Sequence, residues 1–139
     1  MKKLYFSKSL NLSPEKVYLI GDFINFCCDW LPIISDCKIY VVENRNSHDI
    51  ETTAAYHRGQ GIIKIYGKNR ALVDILRSIA HELTHMMQDE KGMLNGKIQN
   101  AGGLIEDEAN AKAGEIIKIY AKSSPERKRI YESVSRDVI

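Results

Sequence analysis

Apolar residues at Leu72, Ile75, Leu76, Ile79, Ala80, Leu83, Met86 and Met87 recur at the i, i+3, i+4, i+7 spacing of one helix face. The pattern predicts a long helix over roughly residues 69–90, with Asn69 as N-cap and Gly92 and Gly96 marking its exit. A second stripe, Ile105, Ala109, Ala113, Ile116, Ile117 and Tyr120, predicts a helix over roughly residues 104–122. Pro125 follows it and opens a short basic helix. Upstream, Ser13-Pro14-Glu15 reads as N-cap, first-turn proline and first-turn acid. The helix they open is expected to turn Val17, Tyr18, Ile20, Phe23, Ile24 and Cys27 inward and to stop shortly after Trp30, ahead of Pro32.

The remaining apolar runs are short and β-prone. Residues 2–6 and Cys37 to Val42 each predict a strand, the second closed by the polar loop Glu43-Asn44-Arg45-Asn46-Ser47. Thr52 to His57 and Gly61 to Tyr66, separated by Arg58-Gly59-Gln60, have the spacing of a β-hairpin. These elements predict an α+β domain over residues 1–139: a small, mainly antiparallel sheet with helices packed on one side.

Composition narrows the function classes. The chain has 139 residues, 44% hydrophobic and 27% charged, the make-up of an ordinary globular domain. Its 20 basic and 18 acidic residues leave a formal charge of +2, and the cations are scattered. That excludes an electrostatic footprint for nucleic acid or for an anionic membrane. Lys8, Asn11, Glu15 and Lys16 break any signal-peptide reading, and no window approaches a membrane span. Cys27, Cys28 and Cys37 are odd in number and lack zinc-type spacing, so they read as buried reduced thiols in a cytoplasmic protein.

The chemistry sits on the first long helix. His81-Glu82-Leu83-Thr84-His85 is the pattern H-E-x-x-H, and histidines four apart stand one turn above each other, so both imidazoles can reach one ion. They fall roughly opposite the apolar stripe, among Asp74, Arg77, Ser78 and Gln88. Paired imidazoles suit Zn²⁺, one per chain, and Glu82 is the candidate catalytic base. On the second helix Glu106 lies close to the middle of the apolar stripe, where a carboxylate is costly unless it is paired or bound to a metal. Glu106 is therefore the preferred third ligand. Glu108, on the opposite flank and able to pair with Lys112 in solvent, is the alternative. Asn110, four residues after Glu106, reads either as a partner that orients a ligating histidine or as an ordinary helix-surface amide.

His81-Glu82-x-x-His85 followed about twenty residues later by Glu106-x-x-Ala109-Asn110 resembles the gluzincin metallopeptidases, and most of all the ImmA/IrrE branch and other minimal gluzincins. The resemblance covers roughly residues 52–117 and implies a zincin-like fold, with Glu106 as third zinc ligand. It also implies that an edge strand, Thr53-Ala54-Ala55-Tyr56 or its hairpin partner, aligns a peptide or protein substrate. Two departures stand out. Thr84 occupies the place of the family's common glycine, and no H-x-x-G-x-x-H continuation exists, which excludes the metzincin type.

The expected reaction is hydrolysis of a peptide bond by a zinc-activated water with Glu82 as general base. Tyr56, His57, Tyr120 and Tyr131 are candidate oxyanion donors, none singled out by spacing. The competing reading is a catalytically silent zinc-binding domain that acts through a regulatory protein partner. A deformylase is excluded, because Ser35-Asp36-Cys37-Lys38 lacks the Gly-Cys setting its cysteine ligand requires.

Overall fold

The structure is a computed structural model that describes residues 2–44, 50, 53–94 and 103–137, without the side chains of 132–137. Strand β1 (Lys2–Phe6) leads through one 3₁₀ turn, Lys8–Leu10, into helix α1 (Pro14–Trp30) and back into strand β2 (Cys37–Val42). Ser13 caps α1 as expected, its hydroxyl accepting from the Lys16 amide at 3.3 Å. The inward face of α1 is Leu19, Ile20, Phe23, Ile24, Cys27 and Cys28. Val17 and Tyr18, expected inside, are 36% and 55% exposed. With the buried face centred between Phe23 and Ile24, a 3.6-residue period puts Val17 on its flank and Tyr18 on the opposite side.

The hairpin forms from β3 (Ala54–His57) and β4 (Ile62–Tyr66), antiparallel with Tyr56 opposite Ile63. Gly61, at φ +63°, is required there, since a Cβ would stand 2.9 Å from the Asp36 carbonyl oxygen. The sheet as a whole corrects the expectation of mainly antiparallel pairing. Its order is β1-β2-β4-β3, and both β1–β2 and β2–β4 are parallel. The seventeen residues of α1 supply the crossover that parallel β1 and β2 need. The chain then leaves β2, runs down the far edge as β3 and returns as β4 beside β2, so β4 is parallel to β2 by default. The result is an α+β domain with a four-stranded mixed sheet.

One sheet face is covered. Ile39, Val41, Ile63 and Ile65 are fully buried beneath the helices, while Lys3, Tyr5 and Lys38 point the other way. Helix α2 (Leu72–Glu90) is the hub, packing on α1, β3 and β4 and on α3 (Gly103–Lys122) and α4 (Pro125–Asp137). Its N-cap is Ala71 rather than Asn69, which sits in the left-handed region at φ 56° just ahead of it. Asp22 of α1 ties the three outer helices together. Its carboxylate accepts from the Tyr120 hydroxyl at 2.8 Å and from Arg127 Nε at 2.8 Å. Cys27, Cys28 and Cys37 are buried free thiols, and burial pushes the Cys28 thiol up to about 12. Among the described residues no helix is long and apolar enough to cross a membrane. Gly96 lies outside the described residues, as do positions 45–49 and 51–52.

Candidate metal centre

His81 and His85 stand one turn apart on α2, and α3 crosses directly over them. The crossing brings Glu106, in the first turn of α3, against both imidazoles. Its Oε1 lies 3.0 Å from His81 Nε2 and its Oε2 lies 3.1 Å from His85 Nε2. The two Nε2 atoms are 3.2 Å apart. Donor atoms that share a tetrahedral ion at zinc–ligand distances of about 2.0–2.2 Å stand roughly 3.3–3.5 Å from one another. Three partly buried donors, two imidazole nitrogens and one carboxylate oxygen, thus converge at nearly that separation. The donor set and its spacing fit a zinc ion with one position left for a non-protein ligand.

The tautomer of His85 follows from its other side. Gln88, fully buried, places Oε1 2.8 Å from His85 Nδ1. The Gln88 amide nitrogen donates to the Ile105 carbonyl at 3.0 Å and to Glu108 Oε1 at 2.8 Å. Both of those groups only accept, so the amide orientation is fixed and Oε1 must receive a proton from Nδ1. In the neutral ring this leaves the Nε2 lone pair of His85 turned toward His81 and Glu106, the tautomer a ligand needs. Burial, followed by the neighbouring His85, lowers the His81 pKa against the opposing pull of Glu106 and Asn110, which favours the neutral imidazole.

Glu82 lies beside this cradle. Its Oε2 is 3.9 Å from His81 Nε2, and the side chain is 11% exposed. Burial, reinforced by the Glu106 charge, pushes its pKa up to about 8. A carboxyl group so placed can accept and return a proton near neutral pH. It opens on a cavity of about 390 Å³, lined on the α2 side by Arg70, Asp74, Arg77, Ser78 and His81. Thr53 and Ala54 of the hairpin edge and Asn110 of α3 complete the walls.

His81, Glu82, His85, Glu106 and Asn110 are all brought together, with Asn110 close enough to His81 to oppose the burial that lowers its pKa. Glu108 stands outside the cluster of converging donors, in line with the preference for Glu106, but instead of a solvated pair with Lys112 it takes the Gln88 amide. Lys112 meanwhile lies over the Trp30 ring at 5.1 Å. The four candidate oxyanion donors are absent from the cavity wall among the described residues. The Tyr56 hydroxyl donates to Asp89 at 2.6 Å and that of Tyr120 to Asp22, so both are committed elsewhere. Thr84 is fully buried, with its hydroxyl on the Ala80 carbonyl at 2.8 Å, a local bond that lets a threonine occupy this helical position. Gln88, bonded to His85, and Arg70, on the cavity wall, are residues that sequence reasoning did not assign to the site. The signal for Gln88 was its i+3 spacing from His85 on the same face. No family model, curated protein or solved structure is significantly similar to this chain.

Proposed function

We propose that this protein is a zinc-dependent peptidase of the gluzincin type, with His81, His85 and Glu106 as ligands and Glu82 as general base. The convergence of the two Nε2 atoms and the Glu106 carboxylate, with the Glu82 carboxylate alongside, carries the reading. Zinc, when bound, supplies a Lewis acid that lowers the pKa of water and polarises a carbonyl. Glu82 takes the proton released as water attacks the scissile carbonyl and hands it to the leaving amine. Gln88 and Asn110 hold the two imidazoles in place. The edge strand β3, whose Ala54 faces the cavity, leaves room for an extended peptide to lie alongside. Peptide or protein segments are the substrates, and the three reduced thiols suit a cytoplasmic setting.

Zinc content measured by mass spectrometry on tag-free protein tests the proposal. One zinc per chain is expected in the wild type and in Glu108→Ala, and none in Glu106→Ala. Glu82→Gln should keep zinc and lose peptide hydrolysis. A wild type that takes up no zinc after reconstitution sinks the proposal. Zinc without turnover on any peptide would favour the silent zinc-binding domain with a regulatory partner.

A further inference from the structure

The cavity beside Glu82 carries a cation that the hydrolytic step does not use. Arg70 precedes α2, but its guanidinium folds forward along the helix. Nη1 donates to the Tyr66 carbonyl at 2.8 Å, and Nη2 donates to the Asp74 carbonyl at 3.0 Å and to Ser78 Oγ at 2.9 Å. All three acceptors are uncharged, and they occupy three of the five guanidinium N–H groups. Among the described residues no carboxylate pairs with Arg70, which is half-buried. Asp74, the acid whose charge acts on it, is held by Arg77 at 2.9 Å, and Glu82 on the same cavity wall is pushed by burial toward its neutral form. A partly desolvated guanidinium on a cavity wall, with no carboxylate hydrogen-bonded to it among the described residues, is best satisfied by an anion that enters the cavity.

We infer that the cavity selects peptides bearing a carboxylate about two residues from the scissile bond, held by Arg70. The placement follows from helix geometry. Ser78, which the guanidinium touches, precedes Glu82 by one turn, about 6 Å of rise. An extended peptide advances roughly 3.3–3.6 Å per residue, so that span is close to two residues. Thr53, whose Oγ1 accepts from the Ser78 hydroxyl at 3.4 Å, and Ala54 form the adjoining wall, and both side chains are small. The carboxylate is either the free C-terminus of a short peptide or an Asp or Glu side chain, the same chemistry from two sources. The inference rests on the cavity being the substrate channel of the proposed peptidase.

Four probes test it by nuclear magnetic resonance titration of ¹⁵N-labelled Glu82→Gln protein, reconstituted with zinc. They are acetyl-Ala-Ala-Ala with a free carboxylate, its amide, acetyl-Ala-Ala-Asp-amide and acetyl-Ala-Ala-Asn-amide. The Arg70 side-chain resonances and the Ser78 amide should move with the anionic peptides, with a Kd at least about tenfold below that of the neutral partner. The preference should vanish in Arg70→Gln and survive in part in Arg70→Lys, with thermal melts showing that each variant is folded. Response to the free carboxylate alone assigns a terminal carboxylate, and response to Asp alone an internal acid. Equal binding of charged and neutral probes, or no movement at Arg70 with any of them, overturns the inference without needing a variant. Zinc content separates the two readings. Zinc held without anion preference removes only the substrate class, whereas anion preference without zinc uptake keeps Arg70 as a binding residue and sinks the peptidase.

Discussion

Gln88 is fully buried, and each of its polar atoms is spoken for: Oε1 by His85, and the amide nitrogen by the Ile105 carbonyl and the Glu108 carboxylate. Gln88→Leu keeps most of the volume and removes all three bonds. The His85 Nδ1–H, the Ile105 carbonyl and the Glu108 carboxylate each lose a partner, and an unpaired buried group costs about 1–3 kcal/mol. Ile105 and Glu108 are only half-buried, so water recovers part of that loss. A net destabilisation of about 2–4 kcal/mol follows, which for a chain of this length lowers Tm by roughly 6–15 °C. The metal effect is separate. Freed from Gln88, the His85 ring can rotate and change tautomer, and loss of such a support weakens metal binding by about 10–100-fold. Zinc affinity by competition titration and Tm by scanning fluorimetry, each measured on Gln88→Leu, Glu108→Ala and the double variant, resolve the two effects. Because Glu108 acts through Gln88, the double variant should lose less than the sum of the singles, by about 1 kcal/mol. Wild-type zinc affinity in Gln88→Leu, or strict additivity in the cycle, would refute the relay.

Three further outcomes follow from the same coordinates. Asp22→Asn should cost about 2–3 kcal/mol at neutral pH, measured by urea unfolding, because Asp22 joins α1 to Tyr120 of α3 and Arg127 of α4. Burial raises the Asp22 pKa, but the Arg127 and Tyr120 hydrogen bonds outweigh it and hold the carboxyl below its usual 3.8. Its ionised-state stabilisation is therefore present above about pH 4 and lost as pH falls through the folded value, so the gap to Asp22→Asn should shrink in acid; a constant gap would contradict this. Gly67→Ala should destabilise by about 1–3 kcal/mol, since its Cβ would meet Val41 Cγ1 at 2.7 Å, whereas Gly114→Ala, with nothing within 4 Å, should stabilise α3 by about 0.5–1 kcal/mol in thermal melts. Chelation should destabilise the zinc-loaded wild type by about 2.7 kcal/mol where zinc had been at a hundredfold excess over its Kd, read as a fall in Tm, and leave Glu106→Ala unmoved.

Periodicity made the helices legible. The stripes Leu72 to Met87 and Ile105 to Tyr120 each mark one continuous buried face, and α2 and α3 lie within a few residues of their predicted bounds. Pairing in the sheet was less legible, because a strand's own alternation says nothing of its neighbour's direction. The strand–helix–strand order of β1, α1 and β2 did carry the parallel signal, whereas the hairpin favoured the antiparallel one. Caps misled for a related reason. Asn69 is a good N-cap by type, but here it serves the turn that leads out of β4. Among the site residues, His81, Glu82, His85 and Glu106 were legible because spacing along a helix fixes direction. The oxyanion candidates were not, since a tyrosine's reach depends on tertiary neighbours such as Asp89 and Asp22.

The hardest feature to read was the polar side of α2. Asp74, Ser78, His81, His85 and Gln88 follow helical spacing as well as the apolar stripe does, and a polar stripe ordinarily faces water. In α2 it is covered toward its C-terminal end by α3, so Gln88 is fully buried and His85 nearly so, while Asp74 stays exposed at the cavity mouth. Burying polar groups between two helices is tolerable only if each finds a partner, and here the partners are other polar side chains rather than solvent. Gln88 satisfies His85 on one side, which leaves its Nε2 lone pair turned toward a second imidazole and a carboxylate. A cation at the meeting point satisfies all three donors at once. Without a cation the three can pair only where a proton sits on an imidazole Nε2 or on Glu106, and burial, with His85 alongside, lowers the His81 pKa. The weight of the metal proposal therefore rests less on the motif than on this arrangement, in which the surrounding hydrogen bonds leave the three donors with few other uses.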